Sequence, residues 1–236
     1  PKIVGSQSLY IYGYLKFIPE MIVDYGAPTY FKATNKTVSI TTAGNSMPWG
    51  VYFDGQEGHW ELQDPLDVSG NIALNWGHLK TNDHSINCYR FSSNPLNQSN
   101  IRSLDLGCSL MTIELADDNT NAIYSCNINN DLGTLTITSC GTSKIIFLGS
   151  LGSLSTMYSG NNLNYDDVEF YGDGHLLGTL VNFHDVIFWA NGLVHADFCN
   201  FHDVTVHGNG TFYVNNCTFN IVDIWHLGLN YSNLST

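Results

Sequence analysis

Asn182-Phe-His-Asp-Val186 recurs letter for letter as Asn200-Phe-His-Asp-Val204, eighteen residues further along the chain. Related segments lie one step earlier, at Asn164-Tyr-Asp-Asp-Val168, and one step later, at Thr218-Phe-Asn-Ile-Val222. A fixed short period indicates one structural unit that is stacked on itself. Four copies in one register, without an insertion, therefore predict a repeat fold for the C-terminal part of the chain.

Several residue types keep this 18-residue step. Such a coil supplies about three short strands, and stacked coils lie about 4.8 Å apart, the ordinary spacing of paired strands. We expect the aromatic and valine positions to form two core ladders. We expect the Asn and Gly positions to form bends, because both residue types tolerate left-handed backbone. The positions are Tyr165, Phe183, Phe201 and Phe219; Val168, Val186, Val204 and Val222; Asn164, Asn182 and Asn200; and Gly174, Gly192, Gly210 and Gly228.

These patterns predict an all-β fold, a right-handed parallel β-helix (β-solenoid) with 18-residue coils in its C-terminal part. Helical spacing of apolar residues is not sustained over about eleven residues anywhere in the chain. Left-handed hexapeptide solenoids also use coils of this length. They need a small aliphatic residue at every sixth position, however, and the large Phe residues fit that pattern poorly.

Residues 1–55 differ from the remainder of the chain. They contain strand-like segments rich in aromatic and β-branched residues, separated by Pro and Gly, but they show no 18-residue register. We therefore predict an irregular β-rich N-terminal cap or neighbouring-domain segment over residues 1–55. The parallel β-solenoid is expected over residues 56–236.

Composition restricts the classes of partner. Apolar residues make up 43% of the chain, enough for a sizeable core, whereas charged residues make up 12% and the net charge is −13. Eight Lys and Arg residues are too few to neutralise a phosphate backbone or to favour an anionic membrane. No run of apolar residues is long enough to span a bilayer. We expect no nucleic acid and no membrane insertion, whereas divalent cations and neutral glycans are compatible partners.

Six cysteines occupy positions 88, 108, 126, 140, 199 and 217. None forms a CxxC pair or a zinc-like cluster, so a structural metal is not expected. Several of the gaps between them are close to the repeat length, which suggests equivalent positions on successive coils. We expect free thiols that pack in the core as small apolar groups, and inter-coil disulfides are the alternative.

The most prominent candidate site consists of acidic and imidazole side chains at the 18-residue step. Calcium takes oxygen ligands, so the Asp residues are the cation-binding candidates, and no other cofactor is expected. Two carboxylates in a groove could also act as general acid and base in polysaccharide cleavage. The series stops at Asn220-Ile221, which favours exposed polar bends without a ligand. The candidate residues are Asp166, Asp167, His184, Asp185, His202 and Asp203.

Exposed aromatic rings are a second candidate, because sugar rings stack on flat π faces. Trp189 lies three residues before a predicted corner glycine and is expected to point outward. Together with His184 and His202 it forms the candidate ligand platform, whereas Trp60 is expected in the core or in a cap. No catalytic residue is predicted, since the chain lacks a nucleophile elbow, a P-loop and an HExxH motif.

Residues 50 to 148 carry a family resemblance. The phrases Gly-His-Trp-Glu-Leu-Gln-Asp, Gly-His-Leu-Lys-Thr-Asn and Arg-Ser-Leu-Asp-Leu-Gly-Cys-Ser lie within residues 58–64, 77–82 and 102–109. They resemble segments of the large adhesin-like cell-surface proteins of Bacteroidetes that are exported by type IX secretion. The resemblance implies an extracellular, cell-surface location and an adhesive or passive role. The cysteines and the irregular N-terminal part depart from the family pattern.

We therefore predict a non-enzymatic extracellular adhesin or stalk module that binds glycans or other surface proteins. A carbohydrate-active β-helix enzyme, a two-carboxylate hydrolase, is the alternative from a different class. A self-assembling fibre subunit is the third hypothesis, because an uncapped terminal coil exposes strand edges that pair readily. The fibre hypothesis implies end-to-end self-association.

Overall fold

The computed structural model describes residues 1–93, 100–114, 126–128, 135–149, 151–156, 163–225 and 230–232. These residues form 23 β-strands. They include no helix that is long and apolar enough to cross a membrane.

The first twelve strands are β1 (Lys2–Gly5), β2 (Leu9–Ile11), β3 (Leu15–Lys16), β4 (Ile22–Tyr25), β5 (Thr29–Phe31), β6 (Thr37–Thr41), β7 (Val51–Leu62), β8 (Leu66–Lys80), β9 (Ile86–Ser93), β10 (Arg102–Gly107), β11 (Leu110–Ile113) and β12 (Cys126–Ile128). The remaining strands are β13 (Leu135–Ser139), β14 (Lys144–Phe147), β15 (Leu151–Thr156), β16 (Leu163–Phe170), β17 (Asp173–Thr179), β18 (Val181–Phe188), β19 (Gly192–Asp197), β20 (Asn200–Val206), β21 (Gly210–Asn215), β22 (Thr218–Ile224) and β23 (Asn230–Ser232).

Successive coils pair in parallel, each strand with its equivalent one coil later. In the C-terminal part the pairing joins β16 to β18, β18 to β20 and β20 to β22, and it joins β17 to β19 and β19 to β21. Phe183 pairs with Phe201 and Val186 with Val204, so the partners keep the step that the repeat predicts. The predicted parallel β-solenoid is confirmed, and it has about nine turns.

Strands β2, β3, β5 and β6 of residues 1–55 belong to the same sheet as the remainder of the chain, whereas β1 and β4 pair in parallel in a separate two-stranded sheet. Leu9 pairs with Thr29, Thr29 with Val51 and Val51 with Ile72, all in parallel. These three steps differ in length, each is longer than the step of the C-terminal coils, and β7 crosses the predicted boundary after residue 55. The N-terminal part therefore consists of coils of varying length, which explains why its sequence shows no fixed period.

The aromatic ladder lies where the sequence predicted it. Tyr165, Phe183, Phe201 and Phe219 stack with ring centroids 5.4, 5.1 and 4.8 Å apart and ring planes within 16° of parallel. Aromatic pairs in such stacked geometry contribute about 0.5–1.5 kcal/mol each beyond the burial of their area. One aromatic ring per coil therefore stabilises every interface between these neighbouring coils.

The valine ladder lies on the next side of the coil. Val168, Val186 and Val204 are fully buried, as predicted. Val222 pairs with Val204 but is 43% exposed, because no described strand pairs with the outer edge of β22. The core thus runs along the axis of the solenoid, and it is exposed to solvent at Val222.

The recurrent glycines do not serve the purpose that the sequence predicted. Gly174 and Gly192 lie at the starts of strands and do not adopt a positive φ. A Cβ atom on Gly174 would lie 2.5 Å from ring atoms of both Phe170 and Phe188. The glycines are therefore needed because a second aromatic ladder, which includes these two rings with centroids 4.7 Å apart, passes directly over them. Gly228 lies outside the described residues.

The left-handed corner lies at a different position of the coil. Leu180, Phe198 and Asn216 have φ of 57°, 54° and 50° and follow each other at the 18-residue step. Non-glycine residues at such φ are uncommon, and Asn is the one of these three residue types that tolerates it best. Their recurrence shows that this corner is imposed by the stacking of the coils rather than by the local sequence.

The asparagines predicted to form bends lie within strands instead. The Asn182 side-chain amide donates to Asn164 Oδ1 and the Asn200 amide donates to Asn182 Oδ1, both at 2.7 Å. The Thr218 hydroxyl then donates to Asn200 Oδ1 at 2.5 Å. An amide carries both a donor and an acceptor, so an in-register stack satisfies each copy with the next. We call this row, Asn164 to Thr218, the amide ladder.

Some of the described cysteines are free thiols and two form a disulfide, so each of the two expectations holds for part of them. Cys108 and Cys140 form a disulfide, so the expectation of free thiols is wrong for this pair. The strands that precede them, β10 and β13, pair in parallel, which brings the two residues together across 32 positions of sequence. Cys88 and Cys199 are free and buried, as predicted, and Cys217 is free and partly exposed. The side chain of Cys126 lies outside the described part of the structure.

The steric role of the recurrent glycines is testable with Gly192→Ala. The added Cβ would lie 2.7 Å from Phe188 Cγ, so we expect overpacking to lower the free energy of unfolding by about 1–3 kcal/mol. Gly13→Ala is the control, since nothing lies within 4 Å of its Cβ position and its φ is not positive. We expect a change within about 0.5 kcal/mol for the control. Urea unfolding of both variants measures the difference, and equal losses would contradict the explanation.

Candidate functional site

The two identical pentapeptides place their His and Asp residues at a corner of the coil. The ladder pairing of β18 with β20 is interrupted at His184, between the pairs formed by Phe183 and Asp185. Successive residues of a regular strand point to opposite faces, whereas a corner allows two neighbours to point outward together. His184 and His202 are exposed there, and the carboxylates beside them are partly buried.

Carboxylates and imidazoles alternate along this corner, which we call the His-Asp ladder. His184 Nδ1 lies 3.2 Å from Asp167 Oδ1 and 3.5 Å from Asp185 Oδ1. His202 Nδ1 lies 3.3 Å from the same Asp185 oxygen and 3.5 Å from Asp203 Oδ1. The two imidazole rings stack with centroids 4.7 Å apart and planes 9° from parallel. Five of the six predicted site residues therefore form one continuous row.

The electrostatics of the row favour positive charge on His184. The hydrogen bond to Asp167 raises the pKa of His184 above its ordinary value, burial opposes this shift, and the charge of Asp185 adds to it. The row ends where Asn220 Nδ2 donates to Asp203 Oδ1 at 3.3 Å. The histidine side chains are about half exposed, so solvent screens each pair.

Asp166 is used differently from the other predicted cation ligands. Its carboxylate accepts hydrogen bonds from the Ser139 hydroxyl at 2.9 Å and from the backbone N–H and hydroxyl of Ser143 at 2.8 Å. Asp64 caps a turn in the same way, accepting from the backbone N–H groups of Thr42 and Ala43. The oxygens of Asp166 are thus directed at the preceding coil. Cation binding by the four predicted Asp residues stays a prediction.

A second exposed row was not recognised in the sequence, although its members keep the 18-residue step. Tyr171, Trp189, His207 and Trp225 stack in this order, and we call them the aromatic edge ladder. The closest pair is Trp189 and His207, with centroids 4.5 Å apart and planes 2° from parallel. Trp189 is 45% exposed, as predicted for an outward residue, but its neighbours cover its ring faces. The row therefore presents ring edges rather than flat faces.

Trp189 does not share a corner with the histidines of the predicted platform. The short strand segment from Val186 to Phe188 lies between the His-Asp ladder and the aromatic edge ladder. Trp60, by contrast, is fully buried, as predicted for a core residue. The predicted platform is thus divided into two parallel rows on adjacent corners.

Glu169 anchors the aromatic edge ladder from below, and sequence reasoning missed it. It is almost fully buried, with Lys144 Nζ 2.6 Å from Oε1 and the Trp189 indole N–H donating to Oε2 at 3.2 Å. Burial by itself would raise the pKa of Glu169, but the hydrogen bonds from Lys144 and Trp189 outweigh it and hold the pKa below its ordinary value. The sequence did offer one signal. Because charged residues are scarce in this region, Lys144 and Glu169 are conspicuous as a pair.

A shallow depression of about 560 Å³ lies between the amide ladder and the His-Asp ladder. It is open to solvent and runs past Asn200, His202 and Asn220. The described residues that line it are amides, phenylalanines, one histidine and one threonine, and none of them carries a carboxylate. The depression can donate and accept hydrogen bonds, but its lining lacks an acid–base pair.

The chain matches no protein-family model, no curated protein and no solved structure at a significant level. The resemblance of residues 50 to 148 to adhesin-like proteins therefore rests on their motifs alone.

The anchoring role of Glu169 predicts a pH dependence that Glu169→Gln removes. Since its pKa is lower in the folded than in the unfolded state, its contribution is present above the unfolded pKa and is lost as pH falls through the folded pKa. We expect Glu169→Gln to lower the free energy of unfolding at pH 7 by about 1–2 kcal/mol and to flatten its decrease toward acid. Urea unfolding between pH 7 and pH 3 measures both effects. Glu20→Gln, at an exposed position, is the control, and an equal response of the two variants would refute the assignment.

Proposed function

We propose that this chain is a non-enzymatic, extracellular adhesin or stalk module that presents fixed rows of side chains to glycans or to other surface proteins. The observation that carries the proposal is the aromatic edge ladder. Trp189, His207 and Trp225 fill no core, yet they are held in register by the coils beneath them. A binding surface that is rigid before the ligand arrives loses less conformational entropy on binding.

The chemistry of the exposed rows favours a neutral, hydroxyl-rich ligand. The amide ladder and the His-Asp ladder supply donors and acceptors along the axis, and the aromatic edges supply apolar contact beside them. The net charge of −13 disfavours sulfated or uronate-rich polymers. An extended neutral glycan that lies along the axis would contact equivalent side chains on successive coils.

The hydrolase alternative has less support from the geometry. Glycosidases use two carboxyl groups that flank the scissile bond, about 5–10 Å apart. Asp185 lies between two imidazoles, Asp166 caps a turn, and the depression is lined by no acid among the described residues. These two carboxylates are already engaged by neighbouring groups of the protein, which favours binding without cleavage.

Retention on immobilised neutral polysaccharides tests the proposal. We expect the chain to bind one of a panel of β-glucan, mannan and arabinoxylan without releasing new reducing ends. Trp189→Ala should weaken this binding by about tenfold, equivalent to about 1.4 kcal/mol, because it removes one of the two inner rings of the ladder. Trp49→Ala is the matched control, since Trp49 is similarly exposed but lies outside the ladder.

Thermal unfolding of both Trp variants shows whether the fold survives the substitution. Release of reducing ends would support the hydrolase instead. Retention by no polysaccharide in the panel, or an equal effect of the two substitutions, would overturn the glycan-binding form of the proposal.

End-to-end self-association is a second candidate, and the unpaired edge of β22 among the described strands favours it. β22 pairs with β20 along one edge, and no described strand pairs with its other edge. Ile221 and Val222 are 54% and 43% exposed on this strand, although Val222 continues a core ladder. Open edges of this kind pair readily with another strand.

Sedimentation velocity over a range of protein concentrations tests this candidate. We expect growing end-to-end oligomers for the unmodified chain and a monomer for Ile221→Lys, because a charge on the open edge opposes strand pairing. Leu110→Lys is the control, because Leu110 is exposed on β11, a strand that is paired on both sides. A chain that stays monomeric at the highest protein concentration would exclude the fibre hypothesis.

A further inference from the structure

We propose that His184, Asp185 and His202 form a binding site for a divalent transition-metal ion of the Zn²⁺ type. The three side chains each offer one ligand atom, and these atoms all lie within 4.8 Å of one another. The proposal is independent of the adhesive function. It also differs from the calcium site expected from the sequence, because two of its three ligands are nitrogens.

The spacing of the ligand atoms fits a small tetrahedral ion. Zn²⁺ binds imidazole nitrogen and carboxylate oxygen at about 2.0–2.2 Å, so two ligands of one ion lie about 3.3–3.5 Å apart. Asp185 Oδ1 lies 3.5 Å from His184 Nδ1 and 3.3 Å from His202 Nδ1. Asp185 is therefore already at ligand separation from both imidazoles.

Only the separation of the two imidazoles has to shorten on binding. Their rings stack at 4.7 Å, and both side chains are about half exposed at the corner. Rotation of either side chain would bring the nitrogens together without a change in the core. The buried Phe183 and Val186 on either side of the corner hold the backbone in place.

The donor set selects the class of ion. Two imidazoles with one carboxylate, leaving a fourth position for water, suit Zn²⁺ and related ions, whereas Ca²⁺ and Mg²⁺ prefer sets made of oxygens. Asp167 and Asp203 flank the two histidines and add negative charge on both sides of the cluster. Either carboxylate lies near enough to its histidine to complete the coordination.

The position of the cluster matches the part of the chain where the pentapeptide is repeated without change. Asp166-Asp167 on the preceding coil lacks an imidazole, and so does Asn220-Ile221 on the following coil. The cluster takes His184 and Asp185 from the first copy and His202 from the second, so both imidazoles reach one carboxylate only where histidines lie on adjacent coils.

Isothermal titration calorimetry with Zn²⁺ on the full chain tests the site. We expect saturable binding of one ion per chain, and we expect His184→Asn, Asp185→Asn and His202→Asn each to weaken it by at least about tenfold. His59→Asn is the matched control, because His59 and His78 also stack, at 4.1 Å, outside the cluster. Excess Ca²⁺ should not displace the ion.

Thermal unfolding gives a second readout that does not depend on the calorimetric heat. A ligand that binds the folded state raises the melting temperature, so Zn²⁺ should stabilise the unmodified chain and His59→Asn but not His184→Asn. The proposal is overturned by absence of saturable binding, by displacement with Ca²⁺, or by binding that His59→Asn removes and His184→Asn leaves intact. Retention on polysaccharides is measured without added metal, so its failure is distinguishable from failure of this site.

Discussion

Parallel in-register pairing is the constraint on which the rest of this structure depends, because it places every side chain next to its equivalent one coil away. Rings on rings and amides on amides gain from this arrangement, as the rows through Phe183 and Asn182 show. Carboxylates at strand spacing repel each other. The alternation of Asp185 with two imidazoles resolves that repulsion, so the composition of the exposed corner follows from the same rule as the core.

The two exposed corners depend on the core in different ways. The His-Asp ladder lies at the surface and is held by pairs that solvent screens. The aromatic edge ladder has a buried support, since Glu169 receives the indole N–H of Trp189 and an ion pair from Lys144. A structure with few charged residues thus places one of its ion pairs where it fixes the orientation of an exposed ring.

Much of the fold was predictable from the sequence, because letter-for-letter repetition exposes the register directly. The ladders through Phe183 and Val186 followed from it, as did the adjacency of His184 to the carboxylates. The N-terminal coils were not predictable, because steps of unequal length leave no fixed period. The role of Gly192 was predicted wrongly, because two different requirements both select glycine. A ring such as that of Phe188 can leave no room for a Cβ atom, and a corner can need a positive φ. Glu169 escaped notice because its partners lie on other coils.

The coils differ in length, yet their strands stack in the same regular way. On the side of the coil that contains Val186, Met111 pairs with Ile86 before it and with Ile145 after it. These two steps differ in length, and both are longer than the step from Val186 to Val204. Insertion within a strand would reverse which side chains face the core, whereas extra residues at a corner leave that alternation unchanged. A solenoid of this kind can therefore accommodate extra residues at its corners while its core keeps the same order of strands.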